Sequence, residues 1–258
     1  MEQVKLVDTH CHLGYDELAG DMDAVLARSR AAGVCGWINV GTGIEQDRKV
    51  VQLSNKYDGM FAAVGIHPHY AKDADAESLA ELERLAANDK VVAIGETGLD
   101  FHYETSGKDE QLRVFQAHLQ IAKRLALPVI IHSRDAFEET LEVLKKHNGI
   151  GKVVFHCFSE DAAAAKRVLE LGYYVSFTGV LTFKNAQIAR EAVKAVPLER
   201  LMLETDCPYM SPVPVRSQKI NEPAFMLHTA KFAAQLKGVD FEEFAAKITA
   251  TSAEFFEI

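Results

Sequence analysis

Val4–His12, VKLVDTHCH, is the stretch from which the fold is read. Its β-branched apolar start marks a strand, and its end carries an aspartate and two histidines at every second position. Side chains alternate faces along a strand, so Asp8, His10 and His12 share one face while Thr9 and Cys11 share the other. Seven more runs of this kind follow: CGWINVG (35–41), FAAVGIHP (61–68), VVAIGETGLD (91–100), PVIIHSR (128–134), KVVFHCF (152–158), YYVSFTG (173–179) and LMLETDCP (201–208). Between them lie stretches such as DMDAVLARSRAAG, IEQDRKVVQLSNKY, SLAELERLAANDK and DEQLRVFQAHLQIAKRLA, whose apolar residues recur at helical spacing. The tail from Glu222 reads as one or two closing helices. Eight strands alternating with helices predict an α/β chain folded as a (β/α)8 TIM barrel, one domain over 1–258. An open doubly wound sheet is the rival, but no GxGxxG or GxxxxGK[ST] turn is present.

Composition narrows the function classes. The 258 residues are 48% hydrophobic, and no apolar run reaches the roughly 18 residues that would make a membrane span. The opening MEQVKLVDTHCHLG lacks a charged segment followed by an apolar one, so no secretory signal is expected. Cys11, Cys35, Cys157 and Cys207 form no CxxC pair, which predicts reduced thiols and a cytoplasmic protein. A net charge of −9 argues against coating duplex nucleic acid by bulk electrostatics, while leaving a local phosphate site open. No membrane association and no obligate protein partner are expected.

The polar residues fall where the strands end. Beyond His10 and His12, the runs finish in His67, Glu96, His132, His156, and Glu204 with Asp206. In a barrel the C-terminal ends of the strands are where catalytic groups gather. Four imidazoles and two carboxylates suit two divalent cations. Zn is the first expectation, with Mg, Mn, Co or Ni also compatible. Cys11, Cys157 and Cys207 alternate with these ligand types, which predicts thiols packed toward the helix layer rather than zinc thiolates. His118, His147 and His228 fall in helical patterns and read as structural, while His69 and His102 follow strands as loop residues.

The motifs DTHCHL, GIHPH, GETGLDF, IHSRDA, HCFS, SFTG, ETDCP and NEP, in that order, resemble the TatD family of metal-dependent hydrolases in the amidohydrolase-like superfamily. The resemblance runs from the first strand to about Pro223. It implies a metal-dependent deoxyribonuclease, with exonuclease action on single-stranded DNA or RNA in some members. It further implies that His10, His12, Glu96 and Asp206 surround one metal and that Glu96, His132 and His156 hold the second. Glu96 would then bridge the two, where many superfamily relatives use a carboxylated lysine. The chain departs from the family pattern at Glu160, in the segment YMSPVPVRSQKI (209–220) and at Ser252, none of them a predicted ligand.

The expected chemistry is attack on phosphorus by a metal-activated water, with Asp206 as its proton acceptor or orienting group. His67 and Arg134 are expected to stabilise charge on the phosphoryl oxygens, and Glu204 to orient a histidine ligand. Pro208–Pro223 holds four of the seven prolines and is expected over the site, offering phosphate contacts through Arg216 and Lys219, with Lys184 a further contact. The alternative substrates are a small-molecule amide, lactone or phosphoester. A metal-retaining barrel without turnover would be expected to have lost Glu96 or Asp206, and both are present.

Overall fold

A computed structural model describes residues 4–103, 105–147 and 149–258. Its strands are β1 (Leu6–Cys11), β2 (Val34–Val40), β3 (Met60–Val64), β4 (Val91–Asp100), β5 (Val129–Arg134), β6 (Val153–Phe155), β7 (Tyr174–Phe177) and β8 (Leu201–Leu203). The helices are α1 (Asp16–Ala19), α2 (Met22–Ala31), α3 (Ile44–Lys56), α4 (Ala76–Ala86), α5 (Lys108–Leu125), α6 (Phe137–Lys146), α7 (Ala162–Glu170), α8 (Gln187–Ala195), α9 (Met226–Lys237) and α10 (Phe241–Phe256). The strands make a single parallel sheet in the order β1 to β8, with a helix after each of the first seven, the (β/α)8 barrel arrangement. Parallel neighbours need a crossover, and here a helix supplies it each time.

The chain packs as two compact units, one of residues up to Ile38 together with Cys157–Ile258, the other Asn39–His156. The cut after Ile38 falls inside β2 rather than in a linker. In the first unit the ends of the sheet meet. The His12 amide donates to the Cys207 carbonyl at 2.9 Å, and the Asp206 amide to the His10 carbonyl at 2.9 Å. Trp37, Phe177, Phe244 and Phe255 are fully buried there, each contributing about 1.5–3 kcal/mol of apolar burial. The Trp37 indole donates to Ser29 Oγ at 2.9 Å, so the largest side chain costs no unpaired donor.

In the second unit β4 is buried along all ten residues, the pattern of a strand covered on both faces. Its register with β5 sets Gly98 opposite His132 and Asp100 opposite Arg134. Gly98 has φ 141°, and a Cβ there would run into the His132 carbonyl, so glycine is what lets the two strands approach. Helix ends are capped from the sequence. Asp75 and Ser78 form a reciprocal box at α4, Asp161 caps α7, Asp240 caps α10, and Gly238 closes α9 with φ 66°.

Most strands are shorter than the apolar runs that announced them. β3 stops at Val64, before the Gly65–Pro68 segment, and a turn at Pro68–Asp73 carries the chain away. β6 and β8 stop at Phe155 and Leu203, ahead of left-handed Cys157 (φ 45°) and Asp206 (φ 52°). His67, His156, Glu204 and Asp206 therefore sit just past their strands instead of within them.

Candidate active site

In the first unit β1 delivers two imidazoles to one point. His10 Nε2 and His12 Nε2 are 3.2 Å apart, and Asp206 Oδ1 lies 3.3 Å from His12 Nε2 and 3.8 Å from His10 Nε2. Ligands about 2.0–2.1 Å from a tetrahedral zinc stand about 3.3 Å from one another, close to these separations. All three side chains are buried, and the donor set fits a borderline or harder divalent cation. The left-handed turn at Asp206 is what aims its carboxylate here. Strict alternation beyond Leu203 would have put Glu204 and Asp206 on one face. Instead Glu204 Oε1 accepts the Cys157 amide at 2.6 Å, bracing the turn that follows His156. Glu204 thus braces the backbone of that turn.

Asp8 earns a role the sequence did not give it. Its carboxylate accepts the Thr205 amide at 2.9 Å and the Thr205 hydroxyl at 2.6 Å, tying β1 to the residue between Glu204 and Asp206. Burial lifts the Asp8 pKa to about 7, against the pull of those hydrogen bonds.

In the second unit Glu96 is the hub. Its Oε1 lies 2.7 Å from His132 Nδ1, 2.7 Å from His156 Nε2 and 3.5 Å from His67 Nε2. The other nitrogen of His132, Nε2, donates to Asp100 Oδ2 at 3.1 Å. A neutral imidazole has one N–H; with that proton on Nε2 and given to Asp100, Nδ1 would be the nitrogen able to hold a cation beside Glu96 and His156, the geometry of a ligand oriented by a carboxylate. Asp100 is locked in turn. Gln111 on α5 accepts its amide at 2.8 Å and donates to its carbonyl at 2.9 Å, while His69 Nε2 donates to Oδ2 at 2.9 Å. Burial alone would raise the Asp100 carboxyl, but the His132 and backbone hydrogen bonds hold it well below the usual range. His132 is likewise pushed down by burial and carried net upward by Asp100 and Glu96.

His67 is held as a donor by its hydrogen bonds, although with Glu96 and His132 its ring also forms a group that could hold a metal ion. Its Nδ1 accepts the His69 amide at 3.1 Å, so the proton of the neutral ring sits on Nε2, facing Glu96. Burial drops its pKa to about 3, with Glu96 pulling the other way, and the ring stays neutral at ordinary pH. His118, on α5, braces this segment: its Nε2 accepts the Ile66 amide at 2.9 Å and its Nδ1 donates to the Val114 carbonyl at 2.7 Å.

The expected substrate residues are all exposed. Arg134 lays its guanidinium over Tyr103, 4.8 Å from the ring centroid, and Arg216 lies 3.6 Å from the Phe183 centroid, next to Lys184. Lys219 lies in the same proline-rich loop as Arg216, which is pinned to the turn after β7 by the Val213 amide on Thr182 Oγ1 at 2.8 Å. Cys11 and Cys207 are buried, as the alternation predicts. Cys157 departs from it. Its sulfur faces Thr178 Oγ1 and the Met210 sulfur, both at 3.9 Å, because β6 has already ended.

The profile of the TatD-related DNase family matches residues 7–257. The chain belongs to this family. An uncharacterized metal-dependent hydrolase of Escherichia coli K12, YcfH, is 42% identical over 98% of this chain and 96% of its own length. The 3'-5' ssDNA/RNA exonuclease TatD of Erwinia amylovora is 34% identical over 97% and 99%. Among solved structures, the E. coli TatD homologue YJJV superposes with a TM-score of 0.93 at 31% identity, covering 99% of both chains. The TatD-family chain is therefore a metal-dependent hydrolase on a TIM barrel, and among its described residues no helix is long and apolar enough to cross a membrane.

Proposed function

We propose that this TatD-family hydrolase cleaves phosphodiester bonds in single-stranded nucleic acid, DNA in the first instance, as a nuclease of the exonuclease type. The observation that carries the reading is the convergence of His10 Nε2, His12 Nε2 and Asp206 Oδ1 beside strand ends of one parallel sheet. His10, His12 and Asp206 would hold one divalent cation and Glu96, His132 and His156 a second, zinc before Mg, Mn, Co or Ni. Bound there, such cations supply Lewis-acid activation of water and charge stabilisation on a phosphoryl group.

The chain's own groups divide the remaining work. Asp206 takes the proton of the attacking water at its carboxylate. His67 presents Nε2–H to a non-bridging phosphoryl oxygen, a neutral donor that keeps its proton across the working pH range. Arg134, Lys184, Arg216 and Lys219 are phosphate contacts along the strand. With a chain charge of −9, capture of a polyanion rests on these local charges and on the cations, which makes binding sensitive to salt.

The name of the Erwinia relative supports the nucleic-acid reading. Metal-stripped enzyme given Mg, Mn or Zn in turn should shorten an end-labelled single-stranded oligonucleotide only after metal addition. No cleavage with any metal, beside turnover of a lactone or amide, would overturn the nuclease reading while leaving a hydrolase.

A further inference from the structure

Among the described residues the exposed large hydrophobic rings are three tyrosines, and no phenylalanine or tryptophan joins them. None is scattered at random. Tyr70 packs edge-on to His67, Tyr103 edge-on to His69, and Tyr209 donates its amide to the Asp206 carbonyl. Burying aromatic rings is strongly favourable, so rings left in water beside the ligand-type residues call for an occupant.

Tyr103 is the most fully built of the three. It is 47% exposed, yet its position is fixed from several sides. Its amide donates to Asp100 Oδ1 at 3.0 Å, and its ring stands perpendicular to His69 and to His102, with centroids 5.4 and 4.7 Å away. The β4–β5 register places Arg134 opposite Asp100, and from there the guanidinium lies over the Tyr103 ring. A cleft of about 270 Å³ opens beside the ring, lined in part by Phe101, Ser106, Gly107 and Lys108. A rigid π-face, a guanidinium plane and a nearby ammonium are what an unstacked nucleobase and its phosphate bind.

We propose that Tyr103, with Arg134 laid across it, is a stacking platform for an unpaired base of the substrate strand, and that this platform sets a preference for single strands over duplex. The proposal rests on the nucleic-acid reading above. Bases inside a duplex are already stacked and paired, so only a splayed or single-stranded nucleotide offers a face to Tyr103. Because ring and guanidinium are held in place beforehand, little ordering is lost when a base docks.

The test is binding by fluorescence anisotropy, with phosphorothioate-linked strands that resist cleavage. The probes are a thymidine strand, an abasic strand of equal length and a thymidine–adenine duplex. The unmutated enzyme should bind the thymidine strand about tenfold or more tighter than the abasic one. Tyr103→Ala should bring that ratio close to one, Tyr103→Trp should keep it, and circular dichroism should show all three proteins equally folded. Equal affinity for thymidine and abasic strands, or an unchanged ratio in Tyr103→Ala, overturns the platform. If the ratio is present but the unmodified strand is never hydrolysed, the hydrolysis reading fails and the platform stands. If hydrolysis occurs with a ratio of one, the platform alone fails.

Discussion

His132 shows how a single residue is poised to act as a ligand. Two carboxylates flank its ring, Glu96 at Nδ1 and Asp100 at Nε2, and only the second is needed to fix the tautomer. Asp100→Asn keeps the size of the side chain and removes the charge. It should weaken the cation held by Glu96, His132 and His156 by roughly 10- to 100-fold, read by competition with a chromogenic chelator. Asp206→Asn should keep the fold and much of the metal while lowering kcat by about two to four orders of magnitude. A near-normal rate would remove Asp206 as the proton acceptor. The candidate ligands are named from strand-end position and alternation, and the structure brings His10 and His12 to Asp206, and His132 and His156 to Glu96. Asp100 could not be named in this way. In GETGLDF it is one more acidic residue closing a strand, and its partners Gln111, His69 and His132 become neighbours only once β4, α5 and β5 have packed. Asp8 and Thr205 were hidden for the same reason, being 197 positions apart.

Elements set how far the alternation can be followed. β4 matches its run to the last residue because it is buried on both faces, while β3, β6 and β8 end early where the chain turns at Pro68 or enters a left-handed conformation. A hydrophobic run reports burial, and burial continues past the last ladder hydrogen bond. The β4–β5 pair has a weak point at Gly98. Gly98→Ala forces a methyl group against the His132 carbonyl at a φ that alanine rarely adopts. It should destabilise the protein by about 1–3 kcal/mol and reduce metal content together with the melting temperature.

Helix α5 offers a pH test on a group that is not among the expected ligands. His118 is fully buried, and burial pushes its pKa down to about 4 from an ordinary 6.5. As pH falls below 6.5 the unfolded chain takes up this proton and the folded one does not, so stability is lost between about pH 6.5 and 4. The loss amounts to roughly 3 kcal/mol from this one group. In metal-free urea titrations at pH 7 and 4.5, His118→Gln should show a shallower fall than the unmutated protein. An equal fall would mean His118 is not held neutral.

At the scale of the molecule, the eight-strand alternation and the ordered motifs made both barrel and family legible, since each depends on repetition along the whole chain. Substrate contacts were less so. Arg134, Lys184, Arg216 and Lys219 are ordinary surface cations in sequence, and only packing distinguishes Arg134 on Tyr103 and Arg216 on Phe183. Metal should also act on the whole fold. The donors are brought together only in the folded chain, so at free metal of about 100 Kd the stabilisation is about 2.7 kcal/mol per site. Melting curves with and without metal should differ by roughly 5–10 °C.

Metal stoichiometry, measured by elemental analysis after dialysis against defined zinc, bears most directly on the central claim. The account predicts two equivalents per chain for the unmutated protein and one for Glu96→Ala, with hydrolysis abolished by chelation and restored by metal. A protein that binds no divalent cation, or one that hydrolyses its substrate at full rate after the metal has been stripped away, contradicts it.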